Sequence, residues 1–244
     1  MHGLVQVIDR SADWKSYDGK PAIDLRIDNR HQCATSQRDV SWQRSGVDSA
    51  MKLLDERAEQ VLNAGYCGGA SVARLLEYPS IKEVISVDMN RSVIEAASLY
   101  FPNFHGKSSA DPRSTIVIDE FRSYLNRLPA DEKFDIVMLD IAVLDPYAKG
   151  MFTREFFARI NEHLSERGVV FWYHQRDLRT AASVFPHVLR PRKGRFASHH
   201  YFTNFPLPRY LREEFKVLDP LSESGAVYTD HKVCRVAPGE RGSP

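Results

Sequence analysis

The sequence has little cysteine, and its few cysteines form no recognisable pattern. Three are present among 244 residues, Cys33, Cys67 and Cys234. Their spacing matches neither a zinc-binding motif nor the even count of a disulfide framework. Widely separated cysteines of this kind are typical of a reducing compartment. We therefore predict no metal site, no disulfide framework and a cytoplasmic location.

Long apolar runs and an excess of charge are also lacking. No segment approaches the roughly 20 apolar residues that cross a bilayer, and the N-terminus has no apolar stretch typical of a secretion signal. The formal net charge is +1, so no overall field draws the chain to nucleic acid or to a membrane. With 43% hydrophobic residues, the chain can bury one sizeable core. We expect a soluble protein with no membrane partner and no nucleic-acid partner.

What the sequence does contain is a glycine-rich turn between an apolar run and a helical pattern. Residues 61–71 are Val-Leu-Asn-Ala-Gly-Tyr-Cys-Gly-Gly-Ala-Ser, an order that predicts a strand, a tight turn and a helix. About 20 residues later a second apolar run ends at Asp88. A carboxylate in that place usually holds a nucleoside ribose, because it accepts hydrogen bonds from both hydroxyls. The alternative is a structural turn with a solvated acid.

Further strands follow, and each of the next two also ends in an acid. Residues 114–119 and 134–140 are apolar runs that finish at Asp119 and Asp140, with helical patterns between them. Strands that alternate with helices at such short intervals predict a parallel sheet with helices on both faces. Ligands of these sheets lie across the carboxyl ends of the strands. That edge is predicted to bring together Gly65, Gly68, Asp88, Asp119 and Asp140.

The N-terminal and C-terminal segments differ from this central region. Residues 22–28 alternate between apolar and polar side chains, as a half-exposed strand does, and residues 31–35 suit a hairpin partner. We predict a small N-terminal β cap over residues 1–45, a catalytic domain over residues 46–236 and a flexible tail over residues 237–244. The alternative to a part in function is that the cap has a purely structural role.

Several segments together resemble the spermidine synthase family of polyamine aminopropyltransferases, within the class I S-adenosylmethionine-dependent methyltransferase superfamily. The resemblance covers roughly residues 22–175 and rests on residues 27–33, 41–43, 62–70, 76–84, 87–90, 100–102, 111–113, 124–125, 134–137 and 140. It implies a Rossmann-like class I methyltransferase fold, with a mostly parallel seven-stranded sheet. It also implies a nucleosyl-sulfonium donor, either S-adenosylmethionine or its decarboxylated form, and a site that would also take the related thioether methylthioadenosine.

The resemblance implies roles for individual residues. Asp88 would hold the ribose, Asp119 would meet the adenine amino group, and Asp140 would orient the nucleophile and accept its proton. The residues implied to bind the donor are Gln32, Gly65, Gly68, Asp88, Met89, Asp119, Glu120 and Asp140. Those implied to bind the acceptor are Trp42, Gln43, Arg44, Tyr147 and Asp230, with Asp145 beside Asp140 as a second catalytic candidate. For Trp42, Asp145 and Tyr147, core packing or a solvated loop is the alternative.

Departures from the family pattern favour a changed reaction. Gly68 stands where the family has the loop Asp that holds the donor's amine, and Arg44 stands where an acid is expected. The second acid of the catalytic loop has moved two places, to Asp145. Losing a carboxylate and gaining a cation makes the pocket less suited to a diamine, since a buried ammonium without a partner is costly. A donor that keeps its carboxylate would instead gain from Arg44.

We therefore expect methyl transfer from S-adenosylmethionine to a small-molecule acceptor. The first alternative is aminopropyl transfer from decarboxylated S-adenosylmethionine to an amine, as in polyamine synthesis. The second is a non-catalytic module that binds a nucleoside or RNA, which only the basic stretch from Arg190 to His200 favours. Most often, however, such a stretch is a solvated loop. The oligomeric state stays open, with a homodimer among the options.

Overall fold

The computed structural model describes residues 3–141, 151–173, 178–192, 199–222, 225–230 and 233–236. Three strands near the N-terminus form an antiparallel sheet, β1 (Val5–Asp9), β2 (Ile23–Ile27) and β3 (Arg30–Ala34). The turn between β2 and β3 places Asp28 and Asn29 at positive φ, a conformation that Asp and Asn adopt more readily than most residues. The small β cap predicted from the sequence is confirmed.

The central region contains eight strands and seven helices among the described residues. The strands are β4 (Gln60–Ala64), β5 (Glu83–Asp88), β6 (Ser114–Ile118), β7 (Phe134–Leu139), β8 (Leu164–Trp172), β9 (His187–Pro191), β10 (His200–Thr203) and β11 (Phe215–Leu218). The helices are α1 (Gln37–Leu53), α2 (Ala70–Leu75), α3 (Arg91–Tyr100), α4 (His105–Ala110), α5 (Phe121–Arg127), α6 (Arg154–Glu162) and α7 (Arg179–Ala182). A short hairpin of β12 (Gly225–Tyr228) and β13 (Val233–Val236) follows.

The eight strands form one sheet in the order β6-β5-β4-β7-β8-β10-β9-β11. The five strands from β6 to β8 are parallel, and β10, β9 and β11 continue the sheet in antiparallel pairs. This is the predicted doubly wound class of fold. The sheet has eight strands rather than the predicted seven, because residues 215–218 pair along the free edge of β9.

Two hydrophobic layers cover the two faces of this sheet. One packs α1 and α2 against the sheet around Met51, Val61 and Phe171. The other packs α5 and α6 on the opposite face around Leu62, Phe156 and Trp172. Neighbouring residues of one strand therefore enter different layers, which explains why the central strands are continuous apolar runs. Among the described residues, no helix combines the length and the apolar character needed to cross a membrane.

Helix α1 begins earlier than the sequence suggests. The apolar spacing of residues 51, 54 and 58 indicates a helix from about residue 48, whereas α1 starts at Gln37. Ser36 caps the helix, since its side chain accepts a hydrogen bond from the backbone N–H of Asp39, and such a cap fixes a helix start. As a result, residues 42–44, which were predicted to bind the acceptor, all lie on the helix.

The structure also joins two cysteines that the sequence analysis left unpaired. A disulfide links Cys33 of β3 to Cys67 of the glycine-rich turn, with their Cα atoms 6.4 Å apart. The two residues are 34 positions apart, and they meet because the β cap packs beside the turn and α3. The expectation of no disulfide was therefore wrong, because the pairing depends on tertiary contacts that cysteine spacing does not reveal.

Candidate active site

The glycine-rich turn between β4 and α2 lies against the end of β7. Gly65 has φ +86°, and a Cβ atom there would approach the carbonyl oxygen of Asp140 to 2.3 Å. Only glycine tolerates both the positive φ and this close contact. The N–H of Gly65 donates to the carbonyl of Val87, and the N–H of Asp140 donates to the carbonyl of Ala64. These contacts bring the ends of β4, β5 and β7 to one edge, as the sequence predicts.

Asp88, at the end of β5, is bound closely to the turn. Its Oδ2 accepts the backbone N–H groups of Tyr66 at 3.0 Å and Cys67 at 3.3 Å, and its Oδ1 accepts that of Asn90 at 2.9 Å. A carboxylate has about four acceptor positions, so one remains for a ribose hydroxyl. Accepting both hydroxyls would require one amide to leave, and the long bond from Cys67 is the weakest of the three. The ribose role of Asp88 stays a prediction.

We expect Asp88→Ala to weaken the binding of methylthioadenosine. One charge-assisted hydrogen bond is worth about 1.5–3 kcal/mol, which corresponds to roughly a 10- to 150-fold rise in Kd. Calorimetric titration of the wild type, Asp88→Ala and Asp88→Asn measures it. Asp88→Asn, which keeps one acceptor oxygen, should fall between the other two. An unchanged Kd in a folded Asp88→Ala variant would remove Asp88 from the donor site.

The next strand, β6, places its terminal acids beside Asp88, but both are engaged in local contacts. Asp119 forms an ion pair with Arg127. The carboxylate of Glu120 caps α5 by accepting from the N–H groups of Arg122 and Ser123, which anchors it to the helix.

Two apolar side chains are exposed at the same edge. Met89 is 54% exposed and Ile118 is 36% exposed, and Ile118 pairs in register with Asp88. Exposed large apolar side chains next to such an acid are suited to the faces of an adenine ring. Contact of Met89 and Asp119 with the donor stays a prediction.

Asp140 follows β7 and is joined to two hydroxyl groups. The hydroxyl of Ser71, in the first turn of α2, donates to Oδ2 of Asp140 at 3.1 Å. The hydroxyl of Tyr173, which follows β8, lies 3.1 Å from the same Ser71 oxygen and donates to the backbone carbonyl of Gln43 at 3.0 Å. Asp140 therefore sits at the end of a row of three oxygen–oxygen contacts that runs to α1, to which the two hydroxyls contribute two hydrogens.

Burial gives Asp140 the electrostatics of a base that works near neutral pH. Loss of hydration is the largest cause and raises its pKa from 3.8 to about 7; the hydrogen bond from Ser71 lowers the pKa, and the charge of Asp88 raises it. A pKa close to the working pH is what general base catalysis requires. In the same environment the pKa of the Tyr173 hydroxyl lies well above 10, chiefly because of burial, so that group stays protonated.

The raised pKa predicts that Asp140 destabilises the empty protein above neutral pH. Between pH 3.8 and about 7 the unfolded chain ionises Asp140 while the folded chain keeps the proton. The free energy of unfolding therefore falls through this window and levels off above it. Asp140→Asn should be more stable than the wild type at pH 8. The free energy of unfolding of Asp140→Asn minus that of the wild type should be larger at pH 8 than at pH 4.5 by on the order of 1–3 kcal/mol. This range allows for solvent screening of a partly exposed residue.

Urea unfolding of the two proteins between pH 4.5 and pH 8 tests this expectation. Asp131→Asn, which changes an exposed acid, is the control and should leave the pH dependence as it is. A constant difference between Asp140→Asn and the wild type over the whole range would contradict the raised pKa.

Gly68, where the resemblance described above implies a carboxylate, has no room for a side chain. A Cβ atom there would lie 2.6 Å from the ring of Phe101, a buried side chain at the end of α3. An aspartate at this position would require the phenylalanine to move. The chain therefore differs from the family pattern by the glycine and by the ring that fills the space beside it.

Three of the five residues predicted to bind the acceptor lie on α1 and have different surroundings. The ring of Trp42 packs on Tyr173, with centroids 4.3 Å apart, which places it near Asp140. Gln43 is buried, and its backbone carbonyl receives the Tyr173 hydroxyl. The guanidinium of Arg44 forms two 2.7 Å hydrogen bonds to the carboxylate of Glu77. Glu77 also pairs with Arg74, so the positive charge of Arg44 is neutralised within a local network of ion pairs.

The remaining predicted site residues lie elsewhere or cannot be placed. Gln32 is in β3, and its side-chain amide donates to the backbone carbonyl of Arg30. Asp230 is exposed, forms an ion pair with Arg122 and accepts the hydroxyl of Thr153 at 2.6 Å. Asp145, Tyr147 and residues 193–198 of the basic stretch lie outside the described residues. All of these assignments remain predictions.

Ser71 and Tyr173 are the residues that the sequence analysis missed. Ser71 is the last residue of the glycine-rich segment, and Tyr173 follows a continuous apolar strand. One sequence feature could have identified them: both residues follow a parallel strand, at the edge of the sheet where Asp88 and Asp140 lie. A polar side chain at that edge is a candidate site residue in any doubly wound sheet.

Comparison with known proteins places this geometry in a family. Residues 46–217 match the sequence model described as the spermine/spermidine synthase domain. The polyamine aminopropyltransferase of Pyrobaculum calidifontis is 36% identical over 115 residues, which cover 45% of this chain and 39% of the relative. The chain thus aligns with well under half the length of that curated relative.

Solved structures share the fold at low identity. A spermidine synthase in complex with the transition-state analogue AdoDATO superposes with a TM-score of 0.66 and 19% identity, over 76% of this chain and 67% of the other. The spermidine synthase of Thermotoga maritima gives 0.63 and 18%, over 78% and 70%. The matched region of the sequence model takes in most of the chain, including the glycine-rich turn, Asp88 and Asp140, and the chain belongs to the spermine/spermidine synthase family.

Proposed function

We propose that the protein transfers an aminopropyl group from decarboxylated S-adenosylmethionine to a small amine. Family membership supports this, since the similar curated proteins are named polyamine aminopropyltransferases. The methyl transfer expected from the sequence gains no support from those relatives. Because the alignments cover less than half of the relatives' length, the activity of this chain has to be argued from its own site.

The observation that carries the proposal is the charge balance around Asp140. Two carboxylates, Asp88 and Asp140, lie at the strand ends, and the charge of Asp88 raises the cost of ionising Asp140. Arg44, the cation thought to attract the carboxylate of S-adenosylmethionine, is bound to Glu77 instead. The surroundings described for Asp140 thus favour a positively charged occupant. Decarboxylated S-adenosylmethionine and an amine acceptor are both cations, and both would help to ionise Asp140.

The residues support a direct displacement in which Asp140 handles one proton. The ammonium group of the acceptor gives a proton to Asp140, which leaves a neutral amine with a free electron pair. That pair forms a bond to the propyl carbon attached to the sulfonium, and the carbon–sulfur bond breaks with its electrons passing to sulfur. The products are a secondary ammonium and neutral methylthioadenosine. Alignment of nitrogen, carbon and sulfur supplies most of the rate increase, and Asp140 then returns its proton to solvent.

Two measurements made in parallel test the proposal. Calorimetric titration with decarboxylated S-adenosylmethionine, S-adenosylmethionine and methylthioadenosine should show the tightest binding for the first or the last. Mass spectrometry of reactions with putrescine and a panel of other amines should then detect methylthioadenosine and an aminopropylated amine in equal amounts. Turnover of S-adenosylmethionine to S-adenosylhomocysteine would establish methyl transfer instead. Nucleoside or RNA binding without any turnover would indicate a non-catalytic module.

A further inference from the structure

Two hydroxyl groups connect the carboxylate of Asp140 to the helix behind it. Oδ2 of Asp140, Oγ of Ser71 and Oη of Tyr173 follow one another at 3.1 Å steps, and a further 3.0 Å step leads to the carbonyl oxygen of Gln43 in α1. Ser71 and Tyr173 are both buried. The three side chains come from α2 and from the ends of β7 and β8, so tertiary structure alone brings them together.

We propose that Ser71 and Tyr173 are positioning residues that hold Asp140 in place and keep it hydrogen-bonded both before and after it takes up a proton. The inference rests on the proposed role of Asp140 as the base, and it extends that role to two further residues. Neither hydroxyl contacts the reacting atoms in this scheme. Both act through the carboxylate.

The chain can reverse its direction, because each hydroxyl has one hydrogen and can also accept. With Asp140 ionised, Tyr173 donates to Ser71 and Ser71 donates to the carboxylate. With Asp140 protonated at Oδ2, the carboxyl donates to Ser71, Ser71 to Tyr173 and Tyr173 to the carbonyl of Gln43. Neither state leaves Asp140 without a partner, and an unmade bond at a polar group that has lost much of its hydration is costly.

Charged and titratable groups surround this chain on several elements. Among the described residues, the charge of Asp88 in β5 acts on Asp140, and the charge of Asp48 in α1 acts on Tyr173. The imidazole of His199, just before β10, packs against the Tyr173 ring with centroids 5.3 Å apart, and it can also take up a proton. A test must therefore report on the Asp140 carboxyl itself and not only on the overall pH dependence.

Infrared difference titration of the empty protein provides such a test. The carbonyl band of protonated Asp140 is obtained by subtracting the spectrum of Asp140→Asn at each pH. Ser71→Ala removes a hydrogen bond that favours the ionised form, so the midpoint should move up by about one pH unit. Tyr173→Phe should move it in the same direction by less, because Ser71 keeps its hydroxyl. Ser71→Thr, which also keeps a hydroxyl, should restore the wild-type midpoint.

Tyr201→Phe is the matched control. Tyr201 is likewise fully buried, and its hydroxyl donates at 3.1 Å to the carbonyl of Gly46 in the same helix. Its loss should cost stability much as the loss of the Tyr173 hydroxyl does and leave the Asp140 midpoint unchanged. An equal midpoint in Ser71→Ala and the wild type, or an equal shift in Tyr201→Phe and Tyr173→Phe, would overturn the proposal.

The kinetic counterpart separates this inference from the proposed function. In Ser71→Ala the acid limb of the kcat/KM profile should move up with the infrared midpoint, so that activity is reduced at pH 7 and recovers near pH 9. Damage to folding would not be recovered at high pH. If the midpoints shift as expected but no aminopropyl transfer occurs with any amine, the proposed function fails and the positioning role of Ser71 and Tyr173 stands.

Discussion

Asp140→Asn is expected to retain donor binding and to lower kcat by about 10²- to 10⁴-fold, the usual contribution of a positioned acid–base group. Asparagine has nearly the same shape and keeps one acceptor oxygen for the hydroxyl of Ser71, which lies 3.1 Å away. The pocket should therefore remain intact. The amide cannot take a proton from the attacking ammonium at neutral pH, so the loss falls on the chemical step.

Steady-state kinetics with a verified acceptor, together with calorimetry of methylthioadenosine, measure the two effects separately. Asp145→Asn, made in parallel, checks whether Asp145, the second acid of the catalytic loop, acts as the base in place of Asp140. Normal turnover in Asp140→Asn with loss in Asp145→Asn would assign the base to Asp145. Normal turnover in both variants would mean that the reaction needs no carboxylate here, as in methyl transfer to an acceptor that is already deprotonated.

The strand-end carboxylates were predictable from the sequence because their positions depend on local patterns. An apolar run followed by an acid places that acid at the carboxyl end of a strand, and parallel pairing brings successive ends to one edge. The registers of β4 with β5 and β7 place the turn beside Asp88 and Asp140. Periodicity and turn chemistry sufficed for this part of the site.

The partners of these acids were not predictable in the same way. The pairing of Arg44 with Glu77 joins α1 to the end of α2. From its position in the sequence, Arg44 was predicted to attract the carboxylate of the donor, but its guanidinium binds Glu77 instead. The contact of Ser71 with Tyr173 spans 102 residues. Each depends on how helices pack across the sheet, which one sequence without relatives does not determine.

The disulfide, like these side-chain pairs, depends on tertiary packing and could not be predicted from the sequence. Spacing arguments work for metal sites and for small secreted frameworks, where cysteines are dense. Here, however, Cys33 lies in the cap and Cys67 in the glycine-rich turn, and only the packing of the cap beside that turn brings them together. The absence of a motif therefore did not exclude a disulfide.

Reduction of the Cys33–Cys67 disulfide is expected to lower the free energy of unfolding by about 2–4 kcal/mol. The bond closes a loop across a sequence separation of 34 residues, and cross-linking a loop of this length restricts the unfolded chain by about that amount. For a chain of this size the corresponding fall in Tm is roughly 5–15 °C. Thermal unfolding with and without a reductant measures the change. A thiol titration under denaturing conditions should find two more reactive thiols after reduction than before.

Cys33→Ser and Cys67→Ser provide the controls, because each removes the bond without any reductant. Both variants should unfold near the Tm of the reduced wild type, and a reductant should leave that Tm unchanged. Cys67→Ser also tests whether the disulfide supports the contact between the turn and Asp88. The N–H of residue 67 donates to Asp88, and the disulfide anchors that part of the turn to the cap. If wild-type protein purified without reductant shows the same thiol count before and after reduction, the disulfide does not form under those conditions. The cap is then held to the turn by packing around Leu25, Val93 and Phe101 alone, and reduction should leave the Tm as it was.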